Sequence, residues 1–422
     1  MDNAPARHRK ARGVVVLALL STLLAGGACA ARTGPPVITL YYAPEQNLQQ
    51  VVDECNAAAD GRYRIEYQVL PRGADDQRVQ LVRRLAAGDR DLDILGLDVT
   101  WTQEFASAGW IRPWTGELRR EAEYGTLAGP LESASFEGQL YAAPKNTNVQ
   151  LLWYRTDLVE KPPRTWSELI TTAQRLRERG EPYQVLTMGA QYEGLTVLYN
   201  TLTASAGGQI LDRDGTEAVF DAGAVAALDQ LRQFATAGVT SPSFSNAMED
   251  EVRLAFQSGG GAFQLNWPFV YPAMQDAAPE LAEHVGWASY PAVDPRMPSR
   301  VTIGGYNLGV STYSEHPQEA FEAALCLRNP EHQLFSAVHD GVPPTIERLY
   351  RDPRLVAAYP MADVILAELR DSATRPLTPA YQNVSTVIST ELSPPASVDP
   401  QRTAARLRDQ VQDALESRGV LP

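Results

Sequence analysis

Lysine is nearly missing from this chain: three stand among 422 residues, at 10, 145 and 161, and arginine carries the rest of the fixed positive charge. Acidic side chains outnumber basic ones and the formal net charge is -14. No basic face can dominate such a surface, which argues against nucleic acid as a partner. The five histidines, at 8, 284, 316, 332 and 339, form no HExxH and no other close metal pair. GxSxG, CxxC and GxxxxGK[ST] are missing as well. Every enzyme signature that shows itself as a local motif is therefore absent, and nothing in the residues asks for a metal or a cofactor. Beyond position 29 no segment has the ~20 apolar residues of a membrane span. Paired acids for glycoside hydrolysis need no local motif, so a secreted carbohydrate-processing enzyme stays open as an alternative.

What is present is a normal globular composition, 44% hydrophobic and 21% charged, on a chain long enough for two domains. Arg7, Arg9, Lys10 and Arg12 form a basic start, and Val14 to Leu24 an apolar run too short to span as a mature helix. The end of that segment, "LLAGGAC", reads as a lipoprotein signal with Cys29 as the lipid-modified first residue. Gly26 stands where such signals usually have leucine, and plain secretion with cleavage near Ala28 or Ala30 is the alternative. Either reading puts the mature protein outside the cytoplasm. The other two cysteines, Cys55 and Cys326, are then either a disulfide or two buried thiols.

From residue 36 the pattern is β-α-β-α-β. "VITLYYA" (37–43), "YRIEYQVL" (63–70) and "LDILGLD" (92–98) read as strands, with helices near 45–59 and 75–87 between them. This order predicts a parallel sheet with helices on both faces, and ligands in such sheets sit beyond the carboxyl ends of strands. Asp98 is in that position. "PPRTWSELITTAQRLRERG" opens a helix with Thr165 as cap and Glu168 as its capping-box partner. Helical runs follow near 191–206 and 223–237. Residues 299–311 read as a strand, 316–338 as a helix pair, and 375–384 and 392–400 as loops. In "GGGAFQLNWPFVY" (259–271) a glycine stop precedes a strand that ends in Trp267.

Polar groups and exposed-looking aromatics gather at these strand ends and loops: Asp98, Trp101, Asn146, Asn148, Glu249, Trp267, Tyr306, Asn307, Arg375 and Tyr381. Carboxylates, amides and guanidinium groups take vicinal hydroxyls in pairs. A flat ring covers the apolar face of a sugar. Each residue also has a plain structural reading. Trp267 fits a core, Asp98 a helix cap near Thr102, Glu249 a favourable helix start, and Arg375 an ion pair.

The segments "DILGLDVTWTQEFASAGWIRPW", "NVQLLWYRTDLV", "PPRTWSELI", "GGGAFQLNWPFVY" and "GGYNLGVSTYSEHPQEAFEAA" resemble the extracytoplasmic solute-binding proteins of carbohydrate ABC importers along almost the whole mature chain. Within that family, "LLWYRTDL", "NWPFVY", "VPPT" and "RPLTPAYQNVS" are most similar to the trehalose-binding lipoproteins of actinobacterial importers. The resemblance implies an α/β, two-lobed periplasmic-binding-protein-like fold with a ligand cleft between discontinuous lobes. One lobe would be about 36–143 plus 300–370, the other about 144–299 plus 371–422. It implies capture of a disaccharide such as trehalose without catalysis, by a monomer held through its lipid to the outer face of the cell membrane. An ABC permease and its ATPase would be the partners. Asp98, Asn148 (or Asn146 beside it), Glu249, Trp267, Gly305, Tyr306 and Arg375 match the family's ligand-binding positions. The resemblance also puts the helices carrying Cys55 and Cys326 in one lobe, which favours the disulfide.

Overall fold

The computed structural model describes residues 34–418. The segment read as a lipoprotein signal, with Cys29, lies outside the described residues. Eleven strands follow one another: β1 (Val37–Tyr42), β2 (Arg64–Val69), β3 (Ile94–Asp98), β4 (Ser135–Phe136), β5 (Gln139–Leu140), β6 (Ala142–Asn148), β7 (Leu151–Arg155), β8 (Gln184–Leu186), β9 (Gly261–Asn266), β10 (Val285–Ala288) and β11 (Gly304–Val310).

They form a five-stranded sheet, β2-β1-β3-β11-β6, a four-stranded sheet, β10-β7-β9-β8, and the small hairpin β4-β5. β1 is parallel to β2 and β3, as the helical connections require, and β11 enters antiparallel between β3 and β6. "ILGL" of β3 is buried throughout, in keeping with a central strand covered on both faces. The chain leaves the first sheet after Asn148 and enters the second at Leu151, later than the division expected at 143/144. It returns between β10 and β11.

Each sheet has its own apolar core. Ile38, Leu95, Phe105, Trp114 and Leu308 belong to the first, and Leu152, Trp153, Trp166, Phe234 and Phe263 to the second. Leu334, Tyr350, Ile365 and Leu369, from a stretch expected to lie with the first sheet, join the second core. Trp101, expected among the exposed aromatics, is 3% exposed and lies in the first core against Phe105. It is the N-cap residue of the helix Thr102–Ser107.

The Thr165 cap forms: its Oγ1 accepts the Glu168 N–H at 3.1 Å. Glu168 reaches back one residue further than a capping box requires, accepting from Arg164 N–H at 2.8 Å. The segment expected as a loop at 375–384 is irregular only to Ala380, because Tyr381 begins the helix Tyr381–Glu391. Cys55 and Cys326 are joined by a disulfide, with Cα atoms 5.9 Å apart, between the helices Leu48–Ala58 and Pro317–Leu327. Among the described residues no helix is long and apolar enough to cross a membrane.

Candidate functional site

Three strand ends meet at one edge of the first sheet. Tyr306 of β11 sits opposite Asp98 of β3 on one side and Asn146 of β6 on the other, and Gly304 sits opposite Asn148. Asp98, Asn148 and Tyr306 are thereby placed together by register alone. Gly305 has φ +131°, and a Cβ there would stand 2.4 Å from the Asn146 carbonyl oxygen. Only glycine fits this close approach.

The facing side is built from starts of helices and from irregular segments. β9 ends at Asn266, whose Oδ1 accepts the Trp267 N–H at 2.9 Å and whose Nδ2 donates to the Glu249 carbonyl at 3.1 Å. The one amide ties the Trp267 turn to the start of the helix Glu249–Gln257. Trp267 is partly buried yet belongs to neither apolar core. Its ring reaches across to the first sheet, so that a Cβ on Gly304 would lie 3.0 Å from it. Tyr192 and Glu193 arrive from the start of the helix Glu193–Ser205.

Between these walls lies a cavity of about 580 Å³, within the usual range for small-molecule sites. Asp98, Asn148, Glu249, Trp267, Gly305, Tyr306 and Arg375 all line it. A larger hollow of about 1000 Å³, bordered by Glu137, Asp214 and Thr378, holds none of these groups.

Asn146 does not line the cavity. It is buried behind Tyr306, donating to the Tyr42 hydroxyl at 2.8 Å and accepting the Tyr306 N–H at 2.9 Å. Of the other polar candidates, Asn307 is buried between Thr102 and Ser133, and Tyr381 is buried with its hydroxyl donating to Glu193.

Arg375 is the electrostatic centre. Its Nη1 donates to Glu193 Oε1 at 2.6 Å and its Nη2 to Asp98 Oδ1 at 3.1 Å, so one guanidinium joins both walls. Burial works against its charge, but the two carboxylates outweigh that and hold its pKa above the ordinary arginine value. Arg375 Nε is buried without a partner among the described residues. Asp98 Oδ1 also accepts the Thr100 N–H at 3.0 Å and the Thr100 hydroxyl at 2.9 Å. Glu193 further accepts the hydroxyls of Tyr381 and Ser385. Burial raises its pKa, with Arg375 and these hydroxyls pulling it back.

Burial likewise raises Glu249. The Tyr192 phenol is pushed up by burial and by the Glu249 carboxylate beside it.

Glu193 and Tyr192 escaped the sequence reading. Glu193 has a helix-start position as its local signal, but its partner lies far along the chain at Arg375.

Residues 43–334 match the model of the bacterial extracellular solute-binding protein family. A probable ABC transporter-binding protein of Deinococcus radiodurans is 29% identical over 386 residues, 86% of this chain and 90% of the relative. Among solved structures, maltose-bound MalE3 of T. maritima has a TM-score of 0.79 at 27% identity, covering 89% of this chain and 99% of that one. The GacH receptor of Streptomyces glaucescens has a TM-score of 0.78 at 19% identity, covering 91% and 100%, and so shares the fold. With two α/β lobes, a cavity between them and a match over most of its length, the chain belongs to the bacterial extracellular solute-binding proteins, which bind their solutes and do not transform them.

Proposed function

We propose that this protein is the sugar-capturing lipoprotein of an ABC importer, and that its ligand is a disaccharide such as trehalose. The observation that carries this reading is the composition of the cavity. A tryptophan ring outside both cores faces carboxylates, an amide and a guanidinium that can pair with hydroxyls. The family supports a solute-binding role, the maltose-bound relative a sugar, and the Deinococcus relative an ABC transporter.

In this reading Trp267 stacks on an apolar sugar face, while Asp98, Asn148, Glu249 and Arg375 take hydroxyls, with Gly305 and Tyr306 shaping the opposite side. Closing the lobes about the two crossings removes water from the sugar and forms the surface that an ABC permease and its ATPase read. A sugar lacking one hydroxyl leaves a buried group unpaired, at roughly 1–3 kcal/mol, and this is the basis of selectivity. The protein acts as a monomer held to the outer face of the membrane by lipid on Cys29.

Calorimetric titration with a panel of neutral disaccharides, followed by product analysis, tests the reading. One-site binding without turnover is expected, tightest for trehalose, and the absence of heat with every sugar sinks it. Fractionation of cells expressing wild type and Cys29→Ala tests the anchor. The variant should leave the membrane fraction, and finding it still there removes the lipid from the account.

A further inference from the structure

The charged groups around the cavity are strongly unequal in sign. Five carboxylates line it, from Asp75, Asp76, Asp98, Glu193 and Glu249, against two guanidinium groups, from Arg72 and Arg375. Arg72, Asp75 and Asp76 are all exposed at the rim, which leaves Asp98, Glu193 and Glu249 inside against Arg375. Arg375 is already shared by Asp98 and Glu193 through its two Nη atoms, which leaves only its Nε–H unpartnered among the described residues.

The next cations along the lining elements are committed elsewhere. Arg78 pairs with Glu104, Arg253 with Asp250, and Lys145 with Glu45 at 2.8 Å behind Tyr42. Glu249 differs from the other inner carboxylates in forming no ion pair among the described residues. It stands beside Trp267 and the Tyr192 hydroxyl, where a ligand resting on the ring would meet it.

We infer that the cavity is a charge filter, with Glu249 as its specificity-determining residue: it admits uncharged glycosides and rejects those bearing phosphate or carboxylate. This deepens the sugar reading above and rests on it. The physical basis is that an anionic ligand sheds its hydration on entry and finds no unpaired cation inside. Like charge then faces like charge across a cleft where water screens poorly. A neutral hydroxyl at the same place is instead a donor to the carboxylate, a charge-assisted hydrogen bond of the strong kind. The same group thus attracts one ligand class and repels the other, and this is how specificity is built against a competitor.

The test is a calorimetric comparison of trehalose, trehalose 6-phosphate and the 6-O-methyl ether of trehalose, on wild type and Glu249→Gln, at one pH and salt concentration. The methyl ether adds bulk without charge. The expected result is a phosphate at least 100-fold weaker than trehalose, with the methyl ether within tenfold of it. In Glu249→Gln the gap between trehalose and its phosphate should narrow by at least tenfold. Equal binding of trehalose and its phosphate overturns the filter. So does a methyl ether as weak as the phosphate, which would make size the cause, or a gap unchanged in Glu249→Gln. These outcomes all require that a neutral sugar binds, so they are distinct from failure of the sugar reading, in which none does.

Discussion

Asp98, Asn148 and Tyr306 reach the cavity from the ends of hydrogen-bonded strands, whereas Glu193, Glu249, Trp267 and Arg375 reach it from helix starts and irregular segments. On the first wall a side chain's position is inherited from the register of the sheet. On the second, polar side chains are held largely by one another: Arg375 by Glu193, Glu193 by Tyr381 and Ser385, and the Trp267 turn by Asn266. The difference teaches where stability and binding are coupled. A change that disturbs the strand wall damages the fold, while truncation on the facing wall removes ligand contacts and leaves most of the fold intact.

The largest effect expected from this contrast is that of Gly305→Ala. Its methyl group would collide with the Asn146 carbonyl, at a backbone angle that L residues rarely adopt. A loss of about 4 kcal/mol in stability is expected, read as a lowered denaturation midpoint, with binding lost alongside. A variant that melts like wild type would show that the strand wall is softer than its register suggests.

A finer division runs within that wall, between two asparagines on one strand. Asn146→Ala strands the Tyr42 hydroxyl and the Tyr306 N–H and should cost about 2 kcal/mol of stability. Asn148→Ala, at the cavity itself, should leave the melting temperature nearly unchanged and weaken sugar binding about tenfold, the worth of one hydrogen bond. Calorimetry and thermal melts on both variants measure the two effects together. The reverse pattern would exchange their roles.

The alternation of strands and helices, the Thr165 cap and Asp98 at a strand end were legible because each is written in neighbouring residues. Asn146 and Asn148 were not separable, because two residues apart on a strand they share a face, and only the pairing with β11 shows which reaches the end of the sheet. Trp101 misled for a related reason. A tryptophan just past a strand end is compatible with cavity or core, and the helix that follows turned it inward. Glu193 was invisible because its meaning depends on Arg375, Tyr381 and Ser385, brought to it by the fold of the second half of the chain.

The central claim is that the Trp267 ring is a surface for a sugar and not part of a core. It is tested most directly by titrating wild type and Trp267→Ala with trehalose in a calorimeter, with the melting temperature of each unliganded protein measured beside it. The account predicts one site per chain in wild type, and at least 100-fold weaker binding in the variant, about 2.7 kcal/mol, with a melting temperature only a few degrees lower. A core residue would instead cost ~3–5 kcal/mol of stability. A Trp267→Ala protein that melts far below wild type yet binds trehalose normally would contradict the account.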